Sequence, residues 1–374
     1  MEIIDAHVHL YPPEINRAPA AWAAARAEPH WSLLCTRTRK NGRPVQTFPD
    51  LSTLLRAMDA AGVARAILQG WYWETPESCA LQNAFYAACI RRHPDRLSAC
   101  AAIHPRAGAA RLRDEIRRAA EAGFAGLGEL SPHSQNINAD APALHAAFAL
   151  AGELNLAVNL HVTESAGAAG AAGAAGAGGA AGAVGKAGAA SAKNYPGQIP
   201  TPLADFVAWA QAHPRTRFVL AHWGARLPLL SSPSSPESLS SLASFASLAS
   251  FASLSPLPST NTFPSTNALP STNTHLTANT LAASARFAKN IYYDTAASPL
   301  TYGARSAALW REMTAAAGAD RILFGTDFPL VLYPKTETTP SISSLAAEAR
   351  ASGLDAPALA AIFSENAKRV YALG

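Results

Sequence analysis

Eight short apolar runs recur along this chain of 374 residues, and segments of helical pattern separate them. In order they are the opening MEIIDAHVHL, RAILQG (65–70), LSACAAI (97–103), GFAGLGEL (123–130), LAVNLHV (156–162), RFVLAH (217–222), NIYYDT (290–295) and RILFGTD (321–327). The pattern predicts helices near 50–61, 78–92, 109–122, 140–153, 201–212, 303–317, 341–352 and 355–372. Strands that alternate with helices of about ten to fifteen residues build βαβ units and a parallel sheet. Eight such strands predict an α/β chain folded as a (β/α)8 TIM barrel. A doubly wound open sheet is the competing fold, but no G-x-G-x-x-G follows the first run to support it.

Two stretches break the rhythm. Residues 165–193 are almost entirely Ala and Gly, and residues 231–281 are rich in Ser, Pro, Thr and Asn, with near-copies such as PSTNTF and PSTNAL. Neither offers an apolar face that could offset the entropy of ordering, so both are expected to be irregular insertions in a single domain spanning 1–374. Without them the chain approaches the ~250 residues typical of such a barrel. Residues 11–49 form a long connection after the first strand. Asn41-Gly42 suits a type I′ turn, so a small lid hairpin is expected from Leu34 to Phe48.

With 49% hydrophobic residues the chain can build a sizeable core, and its net charge of +4 is scattered rather than gathered into a basic stripe. That pattern predicts binding to neither nucleic acid nor a membrane surface. Cys35, Cys79, Cys89 and Cys100 show no C-x-x-C spacing, which suits buried thiols in a reducing compartment. No basic segment leading into an apolar one opens the chain, and no long apolar run follows, so a soluble cytoplasmic protein is expected. Its expected partner is a small-molecule substrate, with assembly as a homo-oligomer left open.

In a strand successive side chains alternate, so His7 and His9 share a face, with Asp5 below them. In barrels of this type the active site lies at the carboxyl ends of the strands. There the sequence sets His7 and His9 on the first strand, Glu129 on the fourth, His161 on the fifth, His222 on the sixth and Asp327 on the eighth. Singly, each has an ordinary explanation as a core histidine, a loop acid or a cap. Together, on strand ends of one barrel, they read as a site for a divalent first-row metal, Zn²⁺ above all, since Mg²⁺ or Ca²⁺ would favour oxygen ligands. One firm ion is expected, with room for a second. Glu129 is in phase to face the barrel and join the donors.

The motifs IDAHVHL, M-D-A-A-G-V (58–63), NLHVTE, VLAHWG, LFGTDFP and ENAKRVYAL (365–373) make the chain similar to the amidohydrolase superfamily. Within it, the chain resembles the group that includes the aminocarboxymuconate-semialdehyde decarboxylase-like enzymes. The resemblance implies a metal-bearing barrel in which His7, His9 and His161 hold the ion. It also implies that His222 bonds the activated water or a second ion, and that Asp327 ligates and shuttles the proton. The expected activity is hydrolysis of an amide, ester or lactone-type bond by water activated on the metal. A non-oxidative decarboxylase is the alternative, and it would need a cation to grip a carboxylate, for which Arg17, Arg37, Arg39 and Arg43 in the lid are candidates. A non-catalytic binding barrel is the third reading, disfavoured by an intact donor set. Trp71, Tyr72 and Trp223, with Trp73, could form an aromatic wall beside the substrate, or merely pack under the lid.

Overall fold

In the computed structural model, residues 1–39, 42–163, 199–230, 278–330 and 337–374 are described. Eight strands lie in the order β1-β2-β3-β4-β5-β6-β7-β8, every neighbouring pair parallel. They are β1 (Ile4–Val8), β2 (Arg65–Leu68), β3 (Leu97–Ala101), β4 (Gly126–Leu130), β5 (Ala157–Leu160), β6 (Phe218–Leu220), β7 (Ile291–Asp294) and β8 (Ile322–Leu323). The segment after β8 closes the ring on β1. Ala6 N donates to Phe324 O, Asp327 N to His7 O and His9 N to Phe328 O, at 2.7, 2.8 and 2.7 Å. The chain is a (β/α)8 TIM barrel.

Helices stand between the strands because their caps and apolar faces match. Asp50 caps Leu51–Ala61 by accepting from Thr53 N, and Gly62 ends that helix in the left-handed conformation at φ 69°. Thr75 caps Pro76–Arg92 in the same way through Ser78 N. One apolar cluster gathers Ile4 and Ala6, Ile67, Cys100, Ala157, Val219 and Leu323 with Ala367, Val370 and Tyr371 of the C-terminal segment. Side chains from six strands can meet only along the barrel axis, so this cluster fills the lumen.

The lid differs from its expected form. Three short helices, Pro13–Arg17, Pro19–Arg26 and Pro29–Cys35, occupy most of it, each opening on a proline whose missing N–H suits a first turn. Trp31, Leu34 and Cys35 are buried at a helical spacing, which draws the expected start of the hairpin into a helix. What remains is a Thr38↔Pro44 antiparallel bridge, with Arg39 N donating to Arg43 O and Val45 N to Arg37 O. Of the turn, Gly42 has φ 78°, while Asn41 lies outside the described residues. The insertion expected at 165–193 also lies outside them, as does 231–277; its last residues begin a helix, Ala278–Phe287, that the pattern did not announce.

Candidate metal centre

His7 and His9 leave β1 with their Nε2 atoms 3.1 Å apart. Both other ring nitrogens are occupied. His7 Nδ1 donates to Asp294 Oδ2 at 2.9 Å, and His9 Nδ1 donates to the Gln69 carbonyl at 3.0 Å. The two Nε2 atoms therefore face each other within hydrogen-bond distance, one proton standing where a cation would take both lone pairs. That is the arrangement second-sphere partners impose on ligand histidines.

Glu129, at the end of β4, joins this pair to a second group. Its Oε2 is 3.7 Å from His7 Nε2 and 3.5 Å from His9 Nε2, and its Oε1 is 2.8 Å from His161 Nδ1 and 3.5 Å from His222 Nε2. His222 Nε2 lies 3.2 Å from His161 Nδ1, while His222 Nδ1 donates to Ala296 O at 3.1 Å. Asp327 completes the rim, 3.5 Å from His9 Nε2 and 3.9 Å from His222 Nδ1. The donor atoms thus form two triads, His7–His9–Glu129 and Glu129–His161–His222, each within 4.8 Å. Imidazole and carboxylate in this ratio fit a divalent first-row cation, and the shared Glu129 offers a place for one ion or two. All six side chains expected at strand ends meet here.

The electrostatics agree with that fit. Burial alone would raise the Glu129 carboxyl, yet the facing imidazoles of His161 and His7 hold it well below its usual range. Burial opposes charge on His7 too, but Asp294 and Glu129 outweigh it and push that imidazole well above its ordinary value. His222 is driven down by burial and up by Glu129 and Asp327, and rests at about 9. Acids buried among these rings make the centre attract positive charge, which a metal ion satisfies better than protons do.

The backbone is adapted to aim these groups. Register shifts in the sheet fall between Asp5 and Val8 and between Leu127 and Leu130, spanning His7 and Glu129. His222 and Asp327 adopt left-handed φ of 56° and 65°, and Trp223, Ala225 and Arg226 continue that conformation. Non-glycine residues there are costly, of order 1–3 kcal/mol each, and persist only when neighbours hold them. Here Tyr302 Oη donates to His222 O at 2.7 Å and Asp294 Oδ1 accepts from His222 N at 3.2 Å.

Asp294 did not stand out in the sequence, although an acid at the end of NIYYDT occupies the same strand-end position as Glu129. It is fully buried and accepts from His7, Asn159 Nδ2, His222 N and Ala296 N. Asp5 does lie below the histidines, where it accepts from Thr326 N and Oγ1; burial raises its carboxyl to about 7.

The aromatic side chains divide. Trp71 packs 5.5 Å from His9 and stacks on Tyr72 at 4.3 Å, and Tyr72 lies 5.0 Å from His161. Trp73 is turned into the lid cluster, against Tyr11, Trp22 and Trp31. Trp223 instead packs edge-on against Trp310 and donates to Ser298 Oγ at 2.7 Å. The indole grouped with Trp71 and Tyr72 by sequence is thus taken up by the helix layer, because the left-handed turn after β6 carries it outward. Among the lid arginines, Arg17 is exposed at the end of its helix. The Thr38↔Pro44 bridge brings the backbones of Arg37, Arg39 and Arg43 together, and burial with repulsion from Arg37 and Arg43 holds Arg39 below its usual value.

The amidohydrolase family model matches residues 4–250 and 267–373, and the chain belongs to that family. No curated protein matches it. Among solved structures it is similar to 5-carboxyvanillate decarboxylase from Sphingomonas paucimobilis, with a TM-score of 0.61 and 16% identity over 100% of this chain and 99% of that one. It is also similar to 2,6-dihydroxybenzoate decarboxylase from Rhizobium, with a TM-score of 0.56 and 17% identity over 100% and 99%. A dihydroxybenzoic acid decarboxylase from Polaromonas, solved with manganese and 2-nitroresorcinol, matches at 0.56 and 16% over 100% and 97%. At these identities the likeness establishes the fold. Among the described residues, no helix is long and apolar enough to cross a membrane, and all four cysteines are buried free thiols.

Proposed function

We propose that this chain is a metal-dependent, non-oxidative decarboxylase of a small aromatic carboxylate, in place of the hydrolase expected from its motifs. The observation that carries the reading is the arginine cluster of the lid beside an imidazole–carboxylate centre. The lid that carries these arginines is joined to the centre through its apolar cluster, in which Tyr11, Trp31 and Cys35 gather with Trp71, itself 5.5 Å from His9. Neutralising a carboxylate is what a decarboxylase needs and what amide hydrolysis does not. The decarboxylases that share this fold support the same choice.

His7, His9, Glu129, His161 and Asp327 would hold a divalent cation, Zn²⁺ or Mn²⁺, which when bound polarises substrate oxygens and steadies the charge that develops as the carbon–carbon bond breaks. The arginines orient the carboxylate. Asp327 delivers a proton to the ring carbon that carries it; the bond to the carboxylate then breaks, its electron pair returns to the ring, and carbon dioxide leaves. Water replaces the proton on Asp327. His222, fixed through Ala296 O, steadies the carboxylate as it becomes carbon dioxide. Hydrolysis retains one supporting observation, that Glu129 reaches both triads as a bridging ligand would.

Incubating metal-loaded protein with amides, lactones and aromatic carboxylates, while carbon dioxide and acid release are followed separately, tests the reading. Carbon dioxide from an aromatic carboxylate is the expected result. Acid release from an amide or lactone without carbon dioxide would establish the hydrolase instead.

A further inference from the structure

The seven tryptophans divide by what their indole N–H groups meet. Trp73, Trp209, Trp223 and Trp310 donate to Gln82 Oε1, Ala139 O, Ser298 Oγ and Glu348 Oε1, at 2.7, 2.9, 2.7 and 2.9 Å. Trp22, Trp31 and Trp71 find no acceptor among the described residues, and all three belong to the apolar cluster under the lid. Of these, Trp71 packs on a donor imidazole, that of His9. It is 8% exposed, so water cannot readily serve its N–H. A buried donor without a partner destabilises the protein that carries it and calls for a bound group that would match it.

Nor is Trp71 loosely held. Its backbone N–H donates to Gln82 Oε1 at 2.7 Å, and Gln82 is tied to Leu10 O at 3.1 Å. Three residues on, the Glu28 carboxylate accepts from Glu74 N and Thr75 N at 2.7 and 3.1 Å. The segment 71–75 is thus pinned at both ends, and its stacked Trp71–Tyr72 pair spans from His9 to His161. An aromatic face and an unspent donor therefore sit together against both halves of the metal centre.

We propose that Trp71 Nε1–H is a specificity-determining donor, which recognises an oxygen substituent on the ring of an aromatic acid lying against the Trp71–Tyr72 pair. The substrate class rests on the decarboxylase reading above, in which the arginines orient the carboxylate and the ring oxygen is left to Trp71. A ring without that oxygen leaves the indole N–H unmatched, and sites built this way discriminate strongly against the analogue lacking the group.

Calorimetric titration of the full-length, Mn²⁺-loaded protein with 2-hydroxybenzoate and with benzoate tests this. Wild type is expected to prefer 2-hydroxybenzoate by roughly tenfold. Trp71→Phe keeps a ring and removes the N–H, so it should bind the two acids with equal affinity and keep its metal content. A second readout needs no variant: in protein with ¹⁵N-labelled tryptophan, one indole signal should shift with 2-hydroxybenzoate and not with benzoate. A preference that survives in Trp71→Phe, equal weakening towards both acids, no preference in wild type, or no selective indole shift would each overturn the assignment. Because binding is read apart from turnover, selective binding without carbon dioxide release from any carboxylate would overturn the decarboxylase reading alone.

Discussion

Asp294 Oδ2 accepts from His7 Nδ1 at 2.9 Å and so turns the other ring nitrogen of His7 towards His9. The same oxygen accepts from Asn159 Nδ2 at 3.0 Å, and the other carboxylate oxygen holds the backbone of His222. One acid thus orients a donor on β1 and another after β6. Asp294→Asn preserves size but weakens both tasks, and metal affinity should fall about 10- to 100-fold, as for other ligand-orienting partners. Competition with a metallochromic chelator would measure it, and an unchanged affinity would remove Asp294 from the centre.

Asp327 tests whether chemistry and metal retention separate. Asp327→Asn leaves His7, His9, His161 and Glu129 in place, so it should keep an ion while turnover drops by roughly 10²- to 10⁴-fold. His9→Ala takes one of two facing imidazoles away and should lose ion and turnover together. Elemental analysis beside the rate of carbon dioxide release distinguishes them. Full activity in Asp327→Asn would shift the proton transfer to His222.

Gly128, the residue before Glu129, shows how tightly β4 is built. It has φ of 133°, and a Cβ there would stand 2.6 Å from the carbonyl oxygen of Asn159 on β5. Gly128→Ala should destabilise the fold by more than the ~1–3 kcal/mol of backbone strain alone, because a backbone oxygen has little room to retreat. It should also weaken metal binding, by displacing Glu129. A urea midpoint equal to that of wild type would count against this close approach.

Away from the centre, His213 Nε2 donates to His145 Nδ1 at 2.9 Å, while His145 Nε2 donates to Ala139 O. Burial and the neighbouring His145 lower His213 to about 4. The unfolded chain binds a proton there from about pH 6.5 downward, while the folded protein does not. Stability from this site is therefore complete above pH ~6.5 and is lost as pH falls towards 4. Urea midpoints measured from pH 7.5 to 4.5 should decline more steeply for wild type than for His213→Gln. Parallel declines would assign the acid sensitivity to other groups.

Much of the barrel was legible along the chain. The runs RAILQG and LSACAAI became β2 and β3, and the helix expected near 50–61 is Leu51–Ala61, because apolar period, caps and glycine stops are local signals. In the lid two local signals compete, and the expected hairpin is shortened to its Thr38↔Pro44 bridge. Asn41-Gly42 favoured a hairpin, but Pro29 and the buried spacing of Trp31, Leu34 and Cys35 carried a helix into its first arm. Trp223 was grouped with Trp71 and Tyr72 because each follows a strand, and nothing local revealed the left-handed turn that directs its indole to Trp310.

The sequence by itself determined that His7, His9, Glu129, His161, His222 and Asp327 end strands of one barrel, since strand period and motif order are written in neighbouring residues. Only the tertiary structure decided that Glu129 touches both triads, that Asp294 orients His7 from 287 positions away, and that Trp71 keeps a buried N–H without an acceptor. These are contacts between distant segments. Their geometry exists only after the sheet closes, when register shifts of a single residue decide which side chains face the centre.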